Sequence, residues 1–293
     1  MEWRGTALGA EASLRLYHPD PQAARRLVED CLSEVRRLEA VFSLYRPDSA
    51  VSRLNRDGRL DAPPLDLVQL LAKAQRLSEI SGGAFDVTVQ PLWRLYADHF
   101  AQPNADPAGP SRAAIDGARE RVGFRHLHIG TDRISFHRQD MAVTLNGIAQ
   151  GYVTDRVTEL LYREGIEVVL VDMGEMRGLG RRPDGRAWDI GIADPAKPGH
   201  RTRVLDLNDQ AVATSGGYGT RFSPFCHHLF DPFTGGSPRE VEAVTVVAAT
   251  ATLADGLSTM LAVSPVDDAA RLFRQAEGVQ AILDTRMGVR VLI

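Results

Sequence analysis

Apolar positions recur along the chain with two periods, and switches between the periods predict the elements. Residues 6–18 alternate apolar and polar, as a half-buried strand does. After Asp20-Pro21 the spacing becomes helical, with Leu27, Cys31, Val35, Leu38 and Phe42 on one stripe. LYRPDSAVSRLNRDG is polar and turn-rich and reads as a loop or a short helix. Leu65 to Ile80 predicts a second helix, with Leu67, Leu70, Leu71, Ala74 and Leu77 inward and Gly82-Gly83 as its stop. AFDVTVQPLWRLYADHF gives a turn and a third helical segment. Ala101 to Arg112, AQPNADPAGPSR, has no period and reads as an insertion loop.

A helix to about Val122 and a strand pair, RHLHIG and RISFH, follow. The apolar run MAVTL leads through NGIAQG into the helix YVTDRVTELLYREG, stopped by Gly165, and then the strand IEVVLVDMG. Strands around WDIGIADP and TRVLDL precede a region rich in Gly, Ser and Pro, Thr214 to Pro238. AVTVVAA is a strand, ATLADGLSTMLAV a helix, Val266 to Glu277 a last helix, and VQAILD and VRVLI terminal strands. Strands and helices are mixed without a regular βαβ repeat, which predicts an α+β fold in one domain. No repeat of 20–50 residues appears.

Composition narrows the function classes. The 293 residues carry a formal net charge of -4. No basic block is present to neutralise phosphates, so nothing points to nucleic acid. No apolar run reaches membrane-spanning length, and the opening residues lack the basic-then-apolar pattern of a secretory leader. Cys31 and Cys226 form no CxxC pair and read as ordinary thiols.

Four stretches carry polar chemistry beyond what structure alone requires: SLYRPDSAVSRLN, SGGAFDVTVQPL, TLNGIAQGY, and the run from ATSGGY through HHLFDPFTGGSP to ADGLST. In ADGLST, Asp255 and Thr259 lie i and i+4 on a helix, so their oxygens share a face. Such a pair can give two oxygens to a hard cation like Mg²⁺, but two are too few for a site, and by themselves they read as a helix start packed on a sheet. In HHLFDPFTGG the turn chemistry is plain, and His228 reads as a base or as an ordinary loop histidine. In TLNGIAQGY, Asn146 fits the cap of a helix starting near Ile148, with amides left over for an anion. SGGAFDVTVQPL sets two glycines before Asp86.

Taken in order, FSLYRPDSAVSRLN, GGAFDVTVQPL, NGIAQGYVTD, ATSGGY, HHLFDPFTGGSP and ADGLST resemble the motifs of the ApbE family, the FAD:protein FMN transferases, over nearly the whole chain. The resemblance implies a single ApbE-like, T-fold-related α+β domain of mostly antiparallel sheet with packed helices. It implies Mg²⁺-dependent flavinylation: FAD is split at its pyrophosphate, FMN joins a Thr or Ser hydroxyl of an acceptor protein, and AMP leaves. Metal positions carried over are the Gly147 carbonyl, Asp255 and Thr259, with Ser258 where some members have an Asp. Flavin positions are Tyr45, Ala84, Phe85, Asp86, Thr144, Gln150 and Leu229. His228 takes the role of assisting deprotonation of the acceptor hydroxyl.

Two departures stand out against the family pattern. The usual Lys of GGIAKGY is Gln150, and an Asp position before the turn is Thr144. NGIAQGY followed by VDMGEMRGLG is similar to the branch linked to nitrous-oxide respiration, which implies a membrane-bound respiratory regulator as acceptor. The family's usual setting implies a periplasmic protein. An FAD pyrophosphatase giving FMN and AMP, or a non-catalytic FAD carrier, remain compatible with the same residues.

Overall fold

The computed structural model describes residues 1–194, 197, 200–273 and 278–292. The chain opens with β1 (Glu2–Ala7) and β2 (Ala10–Leu16). Where one strand was expected over residues 6–18 there is a hairpin, turning at Leu8 (φ 50°) and Gly9 (φ 80°). Leu8 continues the apolar series of Ala10, Ala12 and Leu14 through the turn, which hides it in the sequence. Positive φ at both turn residues matches the twist of the flanking strands.

Helix α1 (Pro21–Phe42) begins at Asp20, whose carboxylate accepts the Gln22 amide. The polar stretch after it contains α2 (Ala50–Asp57), capped by Ser49, and then β3 (Arg59–Asp61). Helix α3 (Leu65–Ile80) follows as expected, and a short 3₁₀ turn leads into α4 (Gln90–Phe100). Residues 101–111 form the expected loop. It is anchored by hydrogen bonds from Ser223 Oγ to the Pro107 carbonyl and from His99 to that of Asp106. Helix α5 (Arg112–Arg119) is a turn shorter than its periodicity. The paired strands β4 (Leu127–Ile129) and β5 (Arg133–Phe136) come next.

MAVTL is not a strand. Met141, Ala142, Val143 and Leu145 are buried, but no ladder pairs them. Instead Asn55 of α2 clamps Val143 with two hydrogen bonds, donating to its carbonyl at 2.8 Å and accepting its amide at 2.7 Å. Thr144 donates to the Val87 carbonyl. A side-chain amide thus stands in for a neighbouring strand.

Helix α6 (Ala149–Arg163) leads to the hairpin β6 (Val169–Asp172) and β7 (Met176–Leu179). A separate hairpin, β8 (Trp188–Ala193) with β9 (Arg201–Leu207), precedes β10 (Ala211–Gly216). Then come β11 (Val241–Ala248), α7 (Ala251–Val263), α8 (Val266–Phe273), β12 (Gln280–Thr285) and β13 (Gly288–Leu292). Residues 274–277 of the expected last helix lie outside the described residues.

Eight strands form one sheet in the order β1-β2-β6-β7-β10-β11-β12-β13, antiparallel at every described pairing. A three-stranded sheet runs β3-β5-β4. Helices α6 and α7 lie on one face of the large sheet, and α1 and α3 pack outside them. Helix α7 is apolar almost all round, as a helix covered by sheet and helices must be. One core runs from Ala7 to Leu283 through these layers. On the opposite face the β8–β9 hairpin lays Trp188, Ile190 and Leu207 against Leu170, Val212 and Val247. A third cluster joins α4 and α5 to Cys226 and Phe230. Both cysteines are free and buried, and burial pushes the Cys31 thiol up to about 12.

The layers are locked where α6 meets α7. Asp155 of α6 accepts the Ala251 and Thr252 amides, each at 2.8 Å, and the Thr252 hydroxyl, at the start of α7. Its charge is balanced by Arg177 at 2.7 Å. Removing the carboxylate leaves these donors and a half-buried guanidinium unpaired. Asp155→Ala is expected to cost about 3 kcal/mol or more of unfolding free energy, measured by urea denaturation.

Candidate active site

Helix α6 starts at Ala149, and Asn146 does not cap it; its amide instead donates to Thr144 Oγ1. The expected spare amides have a partner from α7: Asp255 Oδ2 accepts the Gly151 amide at 2.9 Å. Asp155 therefore caps α7 while Asp255 caps α6. Each carboxylate sits at the positive end of the other helix. Such an approach requires Gly151, where a Cβ would run into the Ala251 carbonyl and the Asp255 Cβ. Gly147 is equally confined, since a Cβ there would lie 2.9 Å from Thr259 Oγ1.

A cleft opens where this junction meets β10 and the loops at 84–89, 144–150 and 216–230. It is lined by Ala84, Phe85, Asp86, Thr144, Gly147, Gln150, His228, Leu229, Asp255 and Thr259, ten of the twelve residues singled out in the sequence. Ser258 lies elsewhere. Its hydroxyl is fully buried between Ser215 Oγ at 2.8 Å and the Asp255 carbonyl. Tyr45 is 81% exposed and borders an adjoining groove, which shares Trp93 and Asn146 with the cleft. Asp86 reaches the cleft wall, but its carboxylate is occupied by the Thr88 amide and hydroxyl and the Phe124 amide.

Ser215 ties the sheet to the α7 donors. It projects from β10 and meets the Ser258 and Thr259 hydroxyls at 2.8 and 2.9 Å. Glu175 was not singled out, yet it lines the cleft from the β6–β7 turn. The β7–β10 ladder ends at Val212↔Met176, and Glu175 Oε2 then accepts the Thr214 amide at 3.3 Å. An acid directly after Gly174 in VDMGEMRG was its only sequence signal.

Three carboxylates line the cleft, and among the described residues no lysine or arginine does. Burial pushes Asp255 up to about 7, against the pull of the Gly151 amide and with the help of nearby Asp155. Burial likewise pushes Glu175 well above the usual range, with Asp255 and Asp172 adding repulsion. Asp86 is also raised by burial, although its three donors oppose this.

The two histidines differ. His227 shares both ring nitrogens, with the Pro238 carbonyl at 2.8 Å and the Leu229 amide at 3.3 Å. Among the described residues the His228 ring hydrogen-bonds only to the Thr220 carbonyl, through Nδ1 at 3.1 Å. A carbonyl only accepts, so Nδ1 carries the proton and Nε2 of the neutral ring is left as an acceptor. Burial holds His228 below the usual imidazole range. The cleft thus pairs a neutral base with a wall of hard oxygen donors.

The ApbE family model matches residues 8–283. The chain belongs to the ApbE family. A solved ApbE flavin transferase from Vibrio cholerae superposes with a TM-score of 0.85 at 28% identity, covering 100% of this chain and 96% of that one. The ApbE protein from Thermotoga maritima gives 0.86 at 27% identity, with coverage of 100% and 96%. An FAD:protein FMN transferase from Vibrio cholerae is 34% identical over 243 residues, 78% of this chain and 71% of the relative. One from Haemophilus influenzae is 31% identical over 256 residues, 82% and 73%. The expected α+β fold with a mostly antiparallel sheet is that of the ApbE structures.

A buried carboxyl that keeps its proton beyond the ordinary range binds more protons folded than unfolded. Its effect is therefore a stability that falls as pH rises from about 4 towards 7. In protein stripped of divalent cations, Asp255→Asn is expected to raise the melting temperature at pH 8. That gain should shrink as pH falls from 7 and be gone only below the unfolded value of 3.8, where Asp255 is protonated in both states, as followed by circular dichroism.

Proposed function

We propose that this ApbE-family chain is an FAD:protein FMN transferase, moving FMN from FAD to a Thr or Ser hydroxyl of an acceptor protein and releasing AMP. The observation that carries the reading is the neutral His228 with an open Nε2, facing the same cleft as Asp255 and Thr259. The acceptor hydroxyl gives its proton to Nε2 as its oxygen bonds to the flavin-side phosphorus. The bond from that phosphorus to the bridging oxygen breaks, and AMP departs. The Thr220 carbonyl fixes the tautomer that makes this transfer possible.

A divalent cation fits the donors present. Asp255 has one oxygen committed to Gly151, and Thr259 and Gly147 border the same wall, so a carboxylate, a hydroxyl and a backbone carbonyl can serve a hard ion. With no lysine or arginine lining the cleft among the described residues, a dianionic pyrophosphate needs such an ion to enter. Mg²⁺ held there offsets pyrophosphate charge and the charge that develops in phosphoryl transfer. Ser258, turned into the sheet, is not assigned to the ion.

Trp93 joins the cleft to the groove beside Tyr45, a continuous path for the two ring systems of FAD. Ala84, Phe85, Asp86, Thr144, Gln150 and Leu229 form the wall along which it runs. The acceptor suggested by NGIAQGY and VDMGEMRGLG is a membrane-bound respiratory regulator, and a periplasmic location rests on the family resemblance. Among the described residues no helix is long and apolar enough to cross a membrane.

Incubation with FAD, Mg²⁺ and an acceptor domain tests the reading through in-gel flavin fluorescence and AMP release. Labelled acceptor with AMP is expected, and EDTA should abolish both. AMP without label would indicate a pyrophosphatase, and bound FAD without either product a carrier. His228→Ala should lower transfer about 100-fold or more while leaving the FAD Kd near that of the parent. The acid limb of kcat/KM should lie below pH 6.5, the ordinary value for histidine, and disappear in His228→Ala.

A further inference from the structure

The cleft holds more negative charge than its hydrogen bonds use. Asp86 is fully engaged by Thr88 and the Phe124 amide, but Asp255 and Glu175 are not. Asp255 commits Oδ2 to the Gly151 amide, and Glu175 commits Oε2 to the Thr214 amide. Each keeps a second oxygen for the cleft, and Asp255 does so at only 3% exposure. Two such charges sharing one wall call for a cation between them.

Gln150 sits against the turn that presents Glu175. A Cβ on Gly174 (φ 103°) would collide with the Gln150 amide group. A lysine at position 150, as in the family pattern, would bring its ammonium beside the same turn and neutralise Glu175 from within the protein. Glutamine brings no charge, so Glu175 is left to an external ion.

We propose that Glu175 is a second carboxylate ligand of the divalent cation at the Asp255–Thr259–Gly147 wall, and that Gln150 is the substitution that frees it for this role. The inference rests on the cation site of the transferase reading and assigns it a ligand that ADGLST does not contain. Glu175 and Gln150 then act as one unit: the positive charge absent from position 150 is replaced by a more firmly held ion. Glu175 is well placed to be rigid, because its free oxygen is aimed by the bond of the other to Thr214 and by the tight turn at Met173, whose amide donates to the Glu175 carbonyl.

The test is Mn²⁺ binding to the FAD-free protein at constant pH, read from the loss of the free-ion electron paramagnetic resonance signal. Glu175→Gln keeps an acceptor for Thr214, and its melting temperature checks that the fold is intact. It should weaken the Mn²⁺ Kd about 10-fold or more. Gln150→Lys should weaken it comparably, and Glu175→Gln added to Gln150→Lys should cost little further. Unchanged affinity in Glu175→Gln, with a loss in Asp255→Asn, overturns the inference and leaves the transferase reading standing. Unchanged affinity in both variants, or no binding by the parent protein, overturns the cation site itself. The expected Mn²⁺ pattern in a protein that neither labels an acceptor nor releases AMP retains Glu175 as a ligand and retires the transferase reading.

Discussion

Two carboxylates exchanged between two helices hold this structure together. Asp155 on α6 takes the first amides of α7, and Asp255 on α7 takes the Gly151 amide of α6. Helix starts carry unpaired amides and a positive dipole end, and burying two of them side by side is unfavourable without anions. Supplying those anions reciprocally makes each helix the condition for the other's start. The sheet joins through Ser215 on β10, which bonds the α7 hydroxyls, and Arg177 on β7, which pairs with Asp155. A displacement of either helix would therefore be felt at once by the cleft.

The two aspartates nonetheless have different fates. Asp155 is saturated, with three donors from α7 and one guanidinium. Asp255 has, among the described residues, one donor, the Gly151 amide, and a cleft in front of it. The first is wholly structural, and the second keeps an oxygen for the cleft. That asymmetry explains how the same junction can be both the mechanical centre of the fold and the place where chemistry is poised. Binding a cation there would relieve the charge that folding concentrates, so occupancy and stability are linked.

Much of this was legible in the chain, and what was not has definable causes. Helices with long stripes, such as α1 and α3, declare themselves because burial on one side imposes a period. The first hairpin was hidden by Leu8, an apolar residue in a turn that keeps the alternation running. MAVTL has a strand's composition, yet Asn55, 88 positions away, does the work of a neighbouring strand, a long-range substitution that no local pattern encodes. Within the cleft, ordered motifs located ten of the twelve residues. Ser258, carried over from the family pattern, is turned to Ser215 on the sheet, an orientation that a motif does not encode. Glu175 escaped because its importance comes from the end of a ladder, not from a motif.

The glycines of NGIAQGY show how geometry of this kind is set by side chains that are missing. Neither Gly147 nor Gly151 has a positive φ, so turning is not what requires them. Each is required by what lies opposite: Thr259 for Gly147, and Ala251 with Asp255 for Gly151. A methyl group at either position would push α7 away, and with it the carboxylate and hydroxyl that α7 presents. The spacing of the oxygen donors is thus fixed by the approach of Gly151 to the α7 backbone and of Gly147 to the Thr259 side chain. Rigid support of this sort lets one buried carboxylate serve a helix and still face the cleft. Gln150, by contrast, lies against the β6–β7 turn, where a Cβ on Gly174 would meet its amide group, and outside the α6–α7 contact.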